Sequence, residues 1–345
     1  MKQAVIYGAG NIGRGFVAQL FSRAGYEICF VDVDATLVEA LNRRGEYPLR
    51  ILLEQGFREE IVRPVRALHG GDIEAVSQAV ARADIMATAV GAAALPHIAG
   101  PVAAGLALRF ASAMRPLDIL LCENMPGAAS YMRGLVGCGE TVGLVETAVG
   151  RMVPVQTEAM RDGDALRICV EEYAELPADR AAFRAGIPAI EGLIPNAPFE
   201  FYLERKLFVH NMGHAITAYA GALRGYAYIW EAIGDPVVRA LVLAAMRESA
   251  AALCEKHGRG HGELDMYIQD LLRRFGNRQL GDTVARVGRD LPRKLADNDR
   301  LFGAARLCEA YGVDCAHIRK GIAAALLFED LPLEKLRRMA DIATE

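Results

Sequence analysis

The sequence predicts an α/β chain: a doubly wound parallel sheet followed by an all-α C-terminal domain. Three observations carry this expectation. A glycine-rich turn, Gly8-Ala9-Gly10-Asn11-Ile12-Gly13, follows a short apolar run and opens a helical pattern. Short apolar runs then alternate with amphipathic stretches through the first half of the chain. After about residue 195 that alternation stops and helical periodicity takes over.

The elements follow in order. Runs at 4–7, 27–32, 85–89, 119–122 and 141–145 are short and apolar enough for buried parallel strands. Between them, 12–24, 35–44 and 73–83 read as amphipathic helices, so right-handed crossovers are expected. Residues 46–68 fit the alternation poorly and are expected to form a hairpin or an irregular insert. The Ala-rich stretch 89–114 has Arg109 as its only charge, yet prolines and glycines interrupt it. It reads as a strand end followed by a core helix rather than a membrane span. A Rossmann-type domain over 1–195 is expected, with 150–195 mixed and irregular, and a helical domain over 196–345. Candidate helices in the second domain are 204–220, 236–257, 263–275, 280–286, 301–311 and 315–327.

Bulk properties narrow the function classes. The chain has 345 residues, 52% hydrophobic and 24% charged, with a formal net charge of −4. That balance offers no global basic field for nucleic acid. Seven cysteines form no C-x-x-C pair, which fits reduced thiols in the cytoplasm rather than a disulfide framework or a zinc site. Glycines interrupt the N-terminal apolar run too early for a signal peptide. His257 and His261 stand four apart, but the glycines around them argue against a metal-binding helix, and no metal site is expected.

The glycine turn points to a dinucleotide. Gly8 permits the tight turn, Gly10 lets backbone approach a pyrophosphate, and Gly13 allows close packing of helix on strand. The phosphates would then sit on the N-terminal amides of the following helix. Arg14 either adds charge there or is a surface residue. Asp32 ends the second strand, where a carboxylate accepts from a ribose diol and repels a 2′-phosphate, favouring NAD over NADP. Asp34 competes for that role, but its place suits a helix cap. The strand ends Thr88-Ala-Val90-Gly91 and Cys122-Glu-Asn124-Met125 are expected to face the cofactor crevice.

Residues 206–214, KLFVHNMGH, place a lysine, an asparagine and a histidine at K-x4-N-x2-H spacing in a helical pattern. On an ideal α-helix Asn211 lies roughly 140° and His214 roughly 80° around the axis from Lys206, so the three are expected to share one face. His210 falls roughly 40° away on the same arc. Lys206 has three readings: a solvated helix lysine, a phosphate ligand, or a general base whose pKa falls through burial and a nearby positive ring. With an amide to donate to an oxyanion and an imidazole to hold a hydroxyl, the third reading describes alcohol oxidation. The basic residues Arg286, Arg289, Arg293 and Lys294 are candidates for a substrate phosphate or, alternatively, a solvated helix end.

The blocks GAGNIGRGF, FVDVD, TAVG, CENM, the run ending RMVP, and ERKLFVHNMGHAITAY occur in that order. Together they resemble the polyol-specific long-chain dehydrogenases of the mannitol dehydrogenase family. The similarity runs on through RVGRDLPRKL, DRL and GIAAAL over nearly the whole chain. It implies an NAD-dependent, metal-independent oxidation with Lys206 as general acid and base. Asn211 and Asn124 would hydrogen-bond the reacting oxygen, and His214 would hold a substrate hydroxyl. Cofactor contacts would come from the glycine turn through Arg14, from Asp32, and from Val90 and Gly91. Arg151, Arg293 and Lys294 would approach substrate. In the branch acting on phosphorylated sugars, the resemblance implies interconversion of D-mannitol 1-phosphate and D-fructose 6-phosphate. One departure stands out: relatives carry aspartate immediately before Arg151, where this chain has Gly150. The chain is also short at its C-terminal end for this family, so packing there is expected to differ.

Two rival functions remain. One is a relative acting on an unphosphorylated polyol or a hexuronate-derived sugar acid. The other is a nucleotide-binding regulator that senses NADH without turnover. No nucleic acid or membrane partner is expected, and the sequence leaves the subunit count open between monomer and dimer.

Overall fold

The computed structural model describes residues 1–112 and 114–329. The chain divides into two compact units, the first ending at Phe199 and the second beginning at Glu200. The C-terminal end, where a packing difference is expected, lies outside the described residues.

The first unit is built on six parallel strands in the order β5-β2-β1-β6-β7-β8. These are β1 (Lys2–Tyr7), β2 (Tyr26–Asp32), β5 (Val65–His69), β6 (Ile85–Thr88), β7 (Leu117–Leu121) and β8 (Val142–Glu146). Helices α1 (Ala18–Arg23), α2 (Ala35–Arg44), α3 (Ile73–Arg82), α4 (Leu95–Ala111) and α5 (Ala128–Val136) make the crossovers. Alternate residues of β1 face opposite cores, as a pleat requires. Ala4 and Ile6 pack with Phe16, Leu20 and Phe30, while Val5 and Tyr7 pack with Val76, Val80 and Val102. The chain winds outward in both directions from the β1/β6 pair, and ligands of such sheets gather at that switch point.

Residues 46–68 hold both the expected hairpin and a sixth sheet strand that was not expected. The hairpin pairs β3 (Tyr47–Leu52) with β4 (Phe57–Val62), and β9 (Ile168–Glu171) adds to β3 in parallel. Strand β5 is an edge strand paired only with β2, and only Val65 and Ala67 of its five residues are buried. Its apolar signal is correspondingly weak. Asn42 compensates at that edge, exchanging two hydrogen bonds with the Ala67 backbone. A two-stranded pair, β10 (Leu176–Asp179) and β11 (Leu193–Asn196), completes the unit, with a short α6 (Glu158–Arg161) before β9.

Among the described residues, one helical segment, Ala92–Ala111, is long and apolar enough to cross a membrane. Its Leu95, Ile98, Val102 and Leu106 lie in the core of the first unit. Its one charge, Arg109, is buried and donates to the carbonyls of Ala81, Ala83, Arg115 and Pro116. Four carbonyl partners make that burial tolerable, and the segment is a core helix.

Among the described residues, helices are the regular elements of the second unit, beside one isolated bridge between Tyr228 and Thr283. A continuous rod runs from α7 (Glu200–Glu204) through Arg205–Asn211 into α8 (Met212–Leu223). Around α8, whose Ile216, Ala218 and Tyr219 are fully buried, pack α9 (Ile229–Gly234), α10 (Pro236–His257) and α12 (Val284–Gly288). The remaining helices are α11 (His261–Phe275), α13 (Leu291–Lys294), α14 (Phe302–Ala310) and α15 (Ala316–Glu329). The short α9 and α13 were not expected, because six and four residues are too few for a periodicity to register.

Candidate active site

In the first unit the chain leaves β1 at Gly8, whose φ of +100° belongs to the region glycine favours. A Cβ there would lie 2.5 Å from the Ala89 carbonyl oxygen, and one at Gly13 would lie 1.8 Å from the Gly8 carbonyl oxygen. Gly10 differs: a Cβ there would meet nothing within 4 Å. Gly8 and Gly13 therefore close the turn, while Gly10 leaves its outer side open, as a bound pyrophosphate requires. The helix that follows begins at Asn11 and widens to π-helical form over Gly13–Val17. Asn11 is exposed and Ile12 half-buried.

Three side chains hold this turn. Asp32 accepts the Ala9 N–H at 2.7 Å through one oxygen and the Asp34 N–H at 3.1 Å through the other. Asp34 caps α2 by accepting from Leu37 N–H at 3.1 Å, the role expected of it. Arg14 neither projects into solvent nor points outward toward a ligand. Its Nε donates to the Ala9 carbonyl at 2.6 Å and its Nη1 to the Leu166 carbonyl at 2.9 Å, and burial lowers its pKa. The Tyr47 hydroxyl donates to the Arg14 carbonyl at 2.6 Å, binding the hairpin to the turn.

Across the switch point, the buried Glu123 carboxylate accepts from Val90 N–H at 3.1 Å and Gly91 N–H at 2.8 Å. It thereby joins the ends of β6 and β7, and the next residue, Asn124, is exposed at that edge. Sequence reasoning passed over Glu123. The CENM block contained it, but a carboxylate that holds two amides from another strand leaves no mark in spacing. Arg151, expected beside substrate, is buried within the first unit. Its guanidinium donates to the Glu171 carbonyl, the Gly15 carbonyl at 3.1 Å and Gln19 Oε1 at 2.5 Å. These contacts brace the glycine-turn helix against β9. A Cβ at Gly150 would touch the Tyr173 ring at 3.4 Å, so a tyrosine borders the place of the absent aspartate.

In the second unit, Arg205–Asn211 is π-helical. The face geometry expected from an α-helix therefore changes. A π-helix bonds residue i to residue i+5, so each residue turns less about the axis and Lys206 and Asn211 occupy successive turns. The spacing K-x4-N that is far apart on an α-helix is brought nearer to one face here. Lys206 and Asn211 are both half-buried. His210 is buried with Nδ1 unpartnered among the described residues. Burial, followed by Arg274 and His214, holds its pKa well below the imidazole range, so it is neutral.

His214 lies one turn further along the rod. Its ring stacks on Phe275, centroids 4.7 Å apart and planes within 16°. Nε2 lies 3.3 Å from Asp282 Oδ2, within ion-pair distance. Arg286 donates through Nε to the other Asp282 oxygen at 2.7 Å. Burial pushes the Asp282 pKa up, but His214 and Arg286 together outweigh it and hold the group at about 2. Asp282 was also missed, since nothing in the sequence joins it to a histidine on another helix.

The basic cluster is less open than its sequence suggests. Arg286 is paired with Asp282, and Arg293 with Asp290 and with Asp299 at 3.2 Å. Lys294 is buried, donating to the Val287 and Arg289 carbonyls; burial, then Arg300 and Arg293, lowers its pKa to about 8. Arg289 is exposed. His257 binds Glu204 at 2.7 Å.

Each unit matches a family model of its own. The mannitol dehydrogenase Rossmann domain matches residues 2–192, and the mannitol dehydrogenase C-terminal domain matches residues 199–336. The chain belongs to the mannitol dehydrogenase family. Within it, the mannitol-1-phosphate 5-dehydrogenase of Brevibacillus brevis is 40% identical over 339 residues, 94% of this chain and 86% of that protein. The enzyme of the same name from Bacillus pumilus is 37% identical, with 97% and 92% covered. Among solved structures, mannitol 2-dehydrogenase of Pseudomonas fluorescens, in ternary complex with NAD and D-mannitol, superposes with a TM-score of 0.77 at 19% identity. That match covers 95% of this chain and 79% of the other. At such identity the likeness establishes the shared fold of the family.

Proposed function

We propose that this chain is an NAD-dependent dehydrogenase that interconverts D-mannitol 1-phosphate and D-fructose 6-phosphate. The observation that carries the reading is the set of Lys206, Asn211 and His214 on one helical rod, in a chain 40% identical to a mannitol-1-phosphate 5-dehydrogenase. The open side of Gly10 and the carboxylate of Asp32 fit a dinucleotide with a free ribose diol, since each Asp32 oxygen keeps a lone pair for a hydroxyl.

When bound, the nicotinamide supplies the hydride acceptor or donor. Lys206 takes the proton of the reacting hydroxyl during oxidation and returns it during reduction. Asn211 and Asn124 donate hydrogen bonds to the oxygen as it gains negative character. His214 holds a neighbouring hydroxyl, and Lys294 with Arg293 meets the phosphate. With an amine as base, the step requires no metal. The seven free cysteines suit a reducing cytoplasm.

One observation favours a second reading. Arg286 and Arg293 are already neutralised by Asp282, Asp290 and Asp299, which weakens the cluster as a phosphate site and suits an unphosphorylated polyol. NADH oxidation measured with fructose 6-phosphate, fructose and tagaturonate, and NAD reduction with mannitol, separates the two. Turnover of fructose 6-phosphate at least tenfold more efficient than of the others is the expected outcome. Preference for fructose or tagaturonate would reject the phosphorylated substrate, and NADH binding without turnover of any would reject the enzyme.

A further inference from the structure

We propose that Asp282 is a positioning residue for His214: it faces a proton on Nε2 and so leaves Nδ1 as an acceptor for a substrate hydroxyl. The inference rests on the dehydrogenase reading for its consequence, but not for its geometry. Nε2 is sealed from solvent and lies 3.3 Å from the Asp282 carboxylate, while the His214 side chain keeps 16% of its exposure. Whatever His214 offers a ligand therefore comes from its other edge. Phe275 covers one ring face and prevents the imidazole from turning over without leaving the stack.

Charge supports the same assignment. An ionised carboxylate only accepts, so it favours a proton on the nitrogen that faces it. Asp282 is held ionised well below neutrality, partly by Arg286 on its other oxygen. Next to this ring, 6.3 Å away between centroids, lies neutral His210, and the charged groups that act on His210 besides His214 are the cations Arg274, Lys206 and Arg300. None of these cations is an acceptor that would draw a proton onto Nδ1. A neutral imidazole with its proton on Nε2 accepts at Nδ1, and a polyol hydroxyl is a donor that fits it.

Asp282→Asn tests this directly. Arg286 Nε sits 2.7 Å from Oδ1 and needs an acceptor, so the single amide oxygen stays with Arg286. The amide NH2 then faces Nε2, which must give up its proton, and the tautomer reverses. Nitrogen-15 NMR of the labelled imidazoles at pH 8, assigned with a His214→Ala variant, should place the proton on Nε2 in the wild-type protein and on Nδ1 in Asp282→Asn. Activity should fall about 10²-fold, the scale of losing one well-placed hydrogen-bonding group. In a His214→Ala background the same substitution should cost less than threefold. A wild-type spectrum with the proton on Nδ1, or with both nitrogens protonated, overturns the proposal even if the variant fails to fold. Equal losses in both backgrounds also overturn it, placing the action of Asp282 elsewhere. A wild-type protein inert toward every polyol tested would sink the dehydrogenase reading while the spectra still decide the tautomer.

Discussion

Both units widen a functional helix into a π-helical turn, Gly13–Val17 in the first and Arg205–Asn211 in the second, but they use it differently. In the first unit the chemistry belongs to the backbone. Glycines remove side chains from the turn, and Asp32, Arg14 and Arg151 hold its amides and carbonyls in place. In the second unit the backbone is a carrier, and the wider turn brings Lys206 and Asn211 nearer to one face. Such turns recur at functional sites. The contrast teaches that one site is defined by what its residues lack and the other by what they project.

Substitutions should therefore fail in different ways. The largest effect is expected at Lys206. Lys206→Ala should lower turnover by about 10²–10⁴-fold while NADH binding, followed by fluorescence titration, stays near wild type. Retained turnover would show that another group moves the proton. Next in size is the pair of glycines. Gly13→Ala forces a methyl onto the Gly8 carbonyl and should cost about 1–3 kcal/mol of stability, read as a lower melting temperature, together with NADH binding. Gly10→Ala should leave the melting temperature unchanged and weaken NADH alone. If Gly10→Ala binds NADH normally, the pyrophosphate does not cross that residue.

The smallest effect is a pH dependence at Lys294. Its pKa falls from 10.5 to about 8 in the folded chain, so its charge is present below pH 8 and lost above it. The fold prefers the neutral amine, and the contribution of this group to stability rises from pH 8 toward 10.5 as the unfolded chain holds the proton longer. Phosphate recognition has the opposite sign. KM for fructose 6-phosphate should climb several-fold between pH 7 and 9, with KM for an unphosphorylated ketose unchanged. A flat profile for both would remove Lys294 from the phosphate site.

The same contrast explains what the sequence made legible. The glycine turn, five of the six strands of the main sheet and the long helices were readable, because glycine spacing and apolar runs are local properties. Edge strand β5 was not, since pairing on one side leaves it with two buried residues. The shared face expected of Lys206 and Asn211 was drawn with ideal α-helix angles, which do not describe the π-helical turn that carries them. Glu123, Asp282 and the bracing role of Arg151 were invisible, because each acts on a partner brought near only by folding. Arg14 and Arg286 carried charges that looked available until acidic or carbonyl partners from elsewhere met them.

Tyr47 and the Leu166 carbonyl fasten the hairpin sheet to Arg14, and Arg14 to the glycine turn. Nucleotide affinity is thus inherited in part from a segment that need never touch the ligand. By linkage, whatever tightens the turn on binding also quiets the insert, and its exposed tip at residues 54–56 becomes a gauge of occupancy. A protease nicking that tip would be slowed by dinucleotide, and the nick itself would loosen the grip on the cofactor before the central sheet gave way.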